Sequence, residues 1–146
     1  MSQSLSNKKD FTEILDIINE MVDESMYHTE TLAHTLQIHH NRAASEVFSA
    51  VAEQFRKEHQ IISEYLQDVQ LTNRPPWEEP HEAYEHPSVL LLKAHYQMSE
   101  EEAWEIMEKM VTLHQNLYSR FLEESDDKNV LGLMQRLIDH CKQSIN

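Results

Sequence analysis

The order of apolar and polar positions along the chain predicts four amphipathic helices, because apolar side chains recur every three or four residues in four separate stretches. The first stripe follows one helical face for about seven turns: Ile14, Ile18, Met21, Ser25, His28, Leu32 and Leu36. The second contains Phe48, Val51, Phe55, His59, Ile62 and Leu66. The third contains Ala103, Met107, Met110, His114, Leu117 and Phe121, and the fourth Val130, Leu133, Met134, Leu137, Ile138, Cys141 and Ile145. We therefore expect helices over 10–39, 41–70, 99–125 and 128–145.

Capping residues mark where these helices begin. Asp10 with Glu13, and Ser99 with Glu102, have the spacing of capping boxes, and Asn41 can cap the second helix. Only two or three residues separate the first helix from the second, and the third from the fourth. Each of these two pairs is therefore expected to form an antiparallel hairpin.

A long connection over 71–98 is expected to join the two hairpins. Three of the four prolines lie between Pro75 and Pro80, and proline cannot continue the second helix. The aromatic and leucine content of this segment suggests that it packs along the bundle, with a short buried helix over Ser88–His95. The expected fold is all-α, a four-helix bundle whose two hairpins are joined by one long crossover.

Composition narrows the class of protein. The 146 residues predict one domain, with a polar tail over 1–9, and contain only one Gly, as expected for long helices with few turns. A net charge of −14 argues against nucleic acid as a partner. No apolar run approaches membrane-spanning length, and the lone Cys141 argues against a disulfide framework, so a cytoplasmic location is predicted.

Each of the four helices places a histidine on its apolar stripe or at the edge of it. These are His28, His59, His114 and His140. Imidazole is the commonest metal ligand in proteins, and bundles build metal sites from inward-facing side chains. A single core histidine is more often a hydrogen-bonded packing residue, but the set of four favours a metal site. Glu24, one turn before His28, can add a carboxylate.

Counting residues from the turns places these histidines at different levels of the bundle. At about 1.5 Å per residue, His28 and His59 lie roughly 10 Å apart along the axis. His28, His114 and His140 fall together near the middle, where Glu53 is the nearest residue of the second helix. The expected site therefore has three histidines with Glu24 or Glu53, and His59 one or two turns away.

Several segments together resemble the rubrerythrin-like branch of the ferritin-like superfamily. They are the run Thr31–Leu36, Phe48 with Val51 and Ala52, the run Ala94–Ser99 with Glu102 and Ala103, and Leu117 and Tyr118 followed by Glu123–Ser125. The resemblance spans nearly the whole chain. It implies a ferritin-like bundle with a carboxylate-bridged pair of metal ions, usually iron.

The ligand pattern that this resemblance implies is broken here. The family uses Glu-x-x-His on the second and fourth helices, but Arg56 stands three residues before His59, and Leu137 three before His140. The third helix has no carboxylate around His114, and Glu24 alone looks like a retained ligand. A histidine-rich pocket suits a single transition metal ion better than a pair of iron ions, and iron or zinc is the expected cofactor.

Three hypotheses follow for function. The first is a ferritin-like metal-binding protein with a histidine-rich centre, acting on a small oxidant such as oxygen or peroxide. The alternative is a metal-free structural or interaction module that keeps the bundle but has lost the di-iron site. The third is iron handling by a larger assembly. A homodimer is expected from the resemblance, with Trp77 and Leu90–Leu92 as interface residues, and no catalytic residue can be named.

Overall fold

A computed structural model of the chain describes residues 10–67, 87–91 and 94–145. These residues form four long helices and one short one, and contain no β-strand. The helices are α1 (Phe11–Ile38), α2 (Arg42–Leu66), α3 (Pro87–Leu90), α4 (Glu100–Glu124) and α5 (Lys128–Ile145). The all-α helical bundle predicted from the hydrophobic pattern is therefore confirmed.

The predicted caps are present at three helix starts. The side chain of Asp10 accepts a hydrogen bond from the Glu13 amide, and that of Asn41 accepts one from the Ala44 amide. Ser99 and Glu102 form a complete capping box, in which each side chain bonds the backbone N–H of the other residue. These bonds satisfy backbone donors that the first helical turn leaves unpaired, and so fix where the helices begin.

The end of α1 is a tight reversal. The His40 N–H bonds the Gln37 carbonyl at 3.0 Å, and the Asn41 N–H bonds the Leu36 carbonyl at 2.8 Å. This is the Schellman pattern, and it places His40 in the left-handed region with φ 62°. Further along the pair, Ser45 donates to the Ala33 carbonyl at 2.7 Å, as expected for antiparallel neighbours.

The helices α2 and α4 begin at the same end of the bundle. The Asn41 side chain, just before α2, donates to the carbonyls of Tyr96 and Met98, just before α4, at 2.9 and 2.8 Å. Fourteen to eighteen residues further along both helices, Glu58 of α2 meets His114 and Tyr118 of α4. The two helices therefore run in the same direction.

The buried apolar residues form two clusters, one toward each end of the bundle. The first joins the N-terminal half of α1 to the C-terminal part of α4 and to α5, and includes Ile18, Leu117 and Leu137. The second surrounds the α1–α2 turn, and includes Leu36, Phe48 and Met107. The predicted stripe of α4 is buried in full.

Three sequence predictions differ from the structure in detail. On α1 the buried face contains Thr29 and Ala33, whereas His28 is only partly buried. On α2 it contains Glu58, whereas His59 is partly exposed. The short helix expected over Ser88–His95 is shorter: α3 ends at Leu90, and His95 is exposed.

Parts of the chain remain outside this description. The polar tail over 1–9 and most of the predicted crossover, 71–86 with 92–93, lie outside the described residues, as do residues 68–70 at the end of the predicted second helix. Within the described residues, none of the helices combines the length and the apolar character needed to cross a membrane.

Candidate functional site

His114 lies at the centre of a buried polar network between the two apolar clusters. It sits in the middle of α4 with no exposed surface, and both of its ring nitrogens have partners on other helices. Nε2 is 2.7 Å from the Ser25 hydroxyl of α1, and Nδ1 is 2.9 Å from Oε1 of Glu58 on α2. The imidazole therefore joins three helices through two short hydrogen bonds.

Tyr118 completes the network one turn further along α4. Its hydroxyl donates to the same Glu58 oxygen, Oε1, at 2.6 Å, and both side chains are fully buried. Burial raises the pKa of Tyr118 well above its usual value, and the negative charge of Glu58 and the hydrogen bond to it raise that pKa further. The phenol therefore keeps its proton and serves as a donor. Ser25, Glu58, His114 and Tyr118 are called the polar network below.

One assignment of the protons accounts for all three hydrogen bonds of the network. With Glu58 ionised, its Oε1 accepts from Tyr118 and from Nδ1–H of His114, and Nε2 then accepts from the Ser25 hydroxyl. In this arrangement each of the three hydrogen bonds has one donor and one acceptor. Phe55 stacks on the His114 ring at 4.4 Å between centroids and holds its orientation.

Cys141 of α5 lies near the network, and its thiol is unreactive. The side chain is fully buried. Burial raises the pKa of the thiol, and the nearby charge of Glu58 raises it further. A thiol that stays protonated is neither a nucleophile nor a metal ligand at neutral pH, so Cys141 contributes packing rather than chemistry.

The other predicted site residues on α1 and α2 make separate carboxylate pairs. His28 Nε2 lies 3.1 Å from Glu24 Oε2, one turn away on α1, with both side chains partly exposed. His59 Nε2 lies 3.2 Å from Asp23 Oδ1. Burial raises the pKa of Asp23, the neighbouring charge of Glu24 acts in the same direction, and His59 opposes both.

The last two predicted residues make other contacts. His140 Nε2 is 3.3 Å from the backbone carbonyl of Gln54, across the α2–α5 interface. Glu53 is exposed and forms an ion pair with Arg56, which also bonds Glu30 of α1. Of the six predicted residues, only His114 thus takes part in the polar network.

The donor set of the network does not fit a metal ion. Among the described residues, no group of three or more His, Cys, Asp or Glu side chains is arranged to hold one. A metal would need a lone pair of His114, but both ring nitrogens are already in hydrogen bonds of 2.7 and 2.9 Å. The acidic oxygen nearest to them accepts from Tyr118 as well. Binding a metal here would break bonds that the protein already makes.

Serine, histidine and carboxylate are also linked in this order in a hydrolase triad, but here the serine is not accessible to a substrate. Ser25 and His114 are both 0% exposed, so no acyl substrate can reach the hydroxyl without opening the bundle. A triad also needs donors for the developing oxyanion at an accessible site. The geometry therefore indicates a structural network rather than a nucleophile.

Glu58 is the main residue that the sequence interpretation missed. Between Phe55 and Ile62, helical spacing allows two choices for the buried position. Glu58 lies three residues after Phe55 and four before Ile62, whereas His59 lies four after and three before. Spacing does not distinguish the two, and a carboxylate is the more costly group to bury alone. The signal that could have found it is the pair of donors, His114 and Tyr118, one turn apart on the facing helix.

No protein-family model matches the chain, and no curated protein or solved structure matches it significantly. The resemblance to the rubrerythrin-like branch therefore stays a prediction from the sequence segments that carry it.

Proposed function

We propose that this chain is a ferritin-like bundle that serves as a structural or interaction module without a metal centre. One observation carries the proposal: both ring nitrogens of the buried His114 are used by protein partners, at 2.7 and 2.9 Å. This histidine lies in the bundle interior, the place where the family resemblance leads one to expect a metal ligand. The side chains there bond to one another.

The shared direction of α2 and α4 supports the ferritin-like part of this proposal. Because Asn41 ties the starts of both helices together, the end of α2 and the start of α4 lie at opposite ends of the bundle. One long crossover between two hairpins has this geometry. The crossover residues themselves lie outside the described part of the chain.

The polar network supplies what a metal would otherwise supply, a cross-link between helices. Three helices contribute to it, and each of its hydrogen bonds is buried, where exchange with water does not weaken it. A buried network of short hydrogen bonds favours one register of the helices over others, since any shift would break the bonds between Glu58, His114 and Ser25. The module thus keeps its shape without a cofactor.

Metal binding remains the second candidate function, and one observation favours it. The pairs Glu24–His28 and Asp23–His59 place imidazole and carboxylate groups together on a partly exposed region of α1 and α2. Such groups suit iron or zinc in chemical type. In this candidate, the ion binds near the surface, where a small oxidant could reach it.

Association of two copies remains a prediction from the family resemblance. Of the expected interface residues, Trp77 and Leu92 lie outside the described part of the chain. Leu90 and Leu91 are partly buried against the second apolar cluster, so they already contribute to the packing of one chain. Light scattering at micromolar protein measures the oligomeric state directly.

Elemental analysis of protein purified without an affinity tag or added metal tests the proposal. The metal-free module predicts far less than one transition metal ion per chain. The same result is expected for Glu24→Gln, which removes a carboxylate charge from the surface pairs. A stoichiometric ion in the wild type that is reduced in Glu24→Gln would favour the surface metal site. A stoichiometric ion lost in His114→Gln but kept in Glu24→Gln would place it in the core and refute the proposal.

A further inference from the structure

Two buried polar atoms on one face of α2 have no protein partner. Among the described residues, the buried side-chain atoms without a hydrogen bond are Asn19 Oδ1, Gln54 Nε2 and Glu58 Oε2. Glu58 has no exposed surface, so its second oxygen cannot reach bulk water. A buried carboxylate oxygen without a partner is strongly unfavourable, and native structures rarely leave one so.

The two atoms on α2 complement each other. Gln54 and Glu58 are four residues apart, so their side chains are neighbours on the same helical face. Nε2 is an amide donor that lacks an acceptor, and Oε2 is a carboxylate acceptor that lacks a donor. The other Glu58 oxygen is already used by His114 and Tyr118, which limits how far the carboxylate can rotate.

We infer that one internal water molecule binds between Gln54 Nε2 and Glu58 Oε2, accepting from the amide and donating to the carboxylate. This inference rests on the proposed function, because a metal ion on the network would rearrange Glu58. Water fits better than a cation, because a cation cannot accept a hydrogen bond and would leave the amide unsatisfied. A buried polar site with two or more partners is the kind that holds ordered water.

The fifth helix bounds this site. Cys141 of α5 is fully buried and lies close enough to Glu58 for that charge to act on its thiol, and the neighbouring His140 Nε2 is 3.3 Å from the Gln54 carbonyl. Burial, and then the Glu58 charge, raises the pKa of the Cys141 thiol, which therefore stays protonated. The water would extend the polar network along α2 from Glu58 to Gln54.

A crystal structure of the full chain, at a resolution that shows ordered water, tests this inference. We expect a solvent peak within hydrogen-bonding distance, about 2.7–3.2 Å, of both Gln54 Nε2 and Glu58 Oε2. A direct bond between the two side chains, a dry site, or a peak with the short contacts and anomalous signal of a metal ion would each overturn it. A metal signal on His114 would refute the proposed function as well, whereas a direct Gln54–Glu58 bond would refute only the water.

A stability comparison in solution gives a second measure. Gln54→Met removes the donor and keeps the side-chain length, and should raise the unfolding equilibrium constant about tenfold, the effect of leaving a buried polar group short of a partner. Gln60→Met, on the exposed side of the same helix, is the matched control and should change it little. Equal effects of the two substitutions would contradict the inference.

Discussion

At the scale of single residues, the burial of Glu58 depends on the donors that face it. A carboxylate with 0% exposure is tolerated because His114 and Tyr118 both donate to one of its oxygens. Neighbouring His59 lies at the edge of the core, where it pairs with Asp23. The pair of donors on α4, rather than the intrinsic polarity of either residue, decides which of the two is buried.

Replacing Tyr118 by Phe should destabilise the fold at neutral pH by about 2 kcal/mol, the usual contribution of a hydrogen bond to a charged group. The reason is that Glu58 would lose one of its two donors while remaining buried. The free energy of unfolding, measured by denaturant titration, checks this. Tyr96→Phe, at an exposed ring, is the control and should be nearly neutral. Equal effects at the two positions would show that the Tyr118–Glu58 bond contributes nothing.

The stability of the wild type should fall as the pH rises above about 9. The folded state raises the pKa of Tyr118 and of Cys141, so both groups keep protons that the unfolded chain releases near its ordinary values of 10.0 and 9.0. Because the unfolded state then binds fewer protons, the free energy of unfolding decreases with pH. Tyr118→Phe should remove the part of this decrease that begins near pH 10 and keep the part due to Cys141. Identical slopes in the two proteins between pH 10 and 11 would contradict this account.

At the scale of helices, α5 contains a glycine that lowers its helix propensity without a packing reason in the described residues. Gly132 lies inside the helix, and beyond the adjacent backbone of α5 a methyl group added there would meet no atom of the described residues within 4 Å. Glycine costs about 1 kcal/mol relative to alanine in a helix interior.

Gly132→Ala should therefore stabilise the protein by about 1 kcal/mol. The mirror change, Ala50→Gly at an exposed position of α2, should destabilise it by a similar amount. Thermal unfolding of both variants beside the wild type measures the two effects. A loss of stability in Gly132→Ala would contradict the open surroundings of this position.

The helices also show what the sequence could predict and what it could not. The stripes and caps located four helices because spacing and capping chemistry are local, and Ser99 with Glu102 is confirmed in full. The choice between Glu58 and His59, or between His28 and Thr29, turns on less than one third of a helical turn. That choice depends on which groups face the residue from the other helices, and the local sequence pattern holds no information about those groups.

At the scale of the whole molecule, the polar network separates two apolar clusters and ties α1, α2 and α4 together between them. A net charge of −14 gives the surface a strong preference for basic or cationic partners over other acidic surfaces. The same charge would attract metal cations to the surface. Weak, nonspecific binding of metal to the acidic surface is therefore not evidence for a specific metal site in the core.

The central claim is that hydrogen bonds between protein side chains hold the bundle interior together. The most direct test of it is the melting temperature measured with and without metal. Metal that binds only the folded state must raise the melting temperature, and a chelator must lower it. We predict the same melting temperature for the wild type in chelator, in buffer, and with one equivalent of Zn²⁺, Fe²⁺ or Cu²⁺. A rise with one equivalent of metal, or a fall in chelator, that is absent in His114→Gln would contradict the account and restore the histidine-rich metal centre.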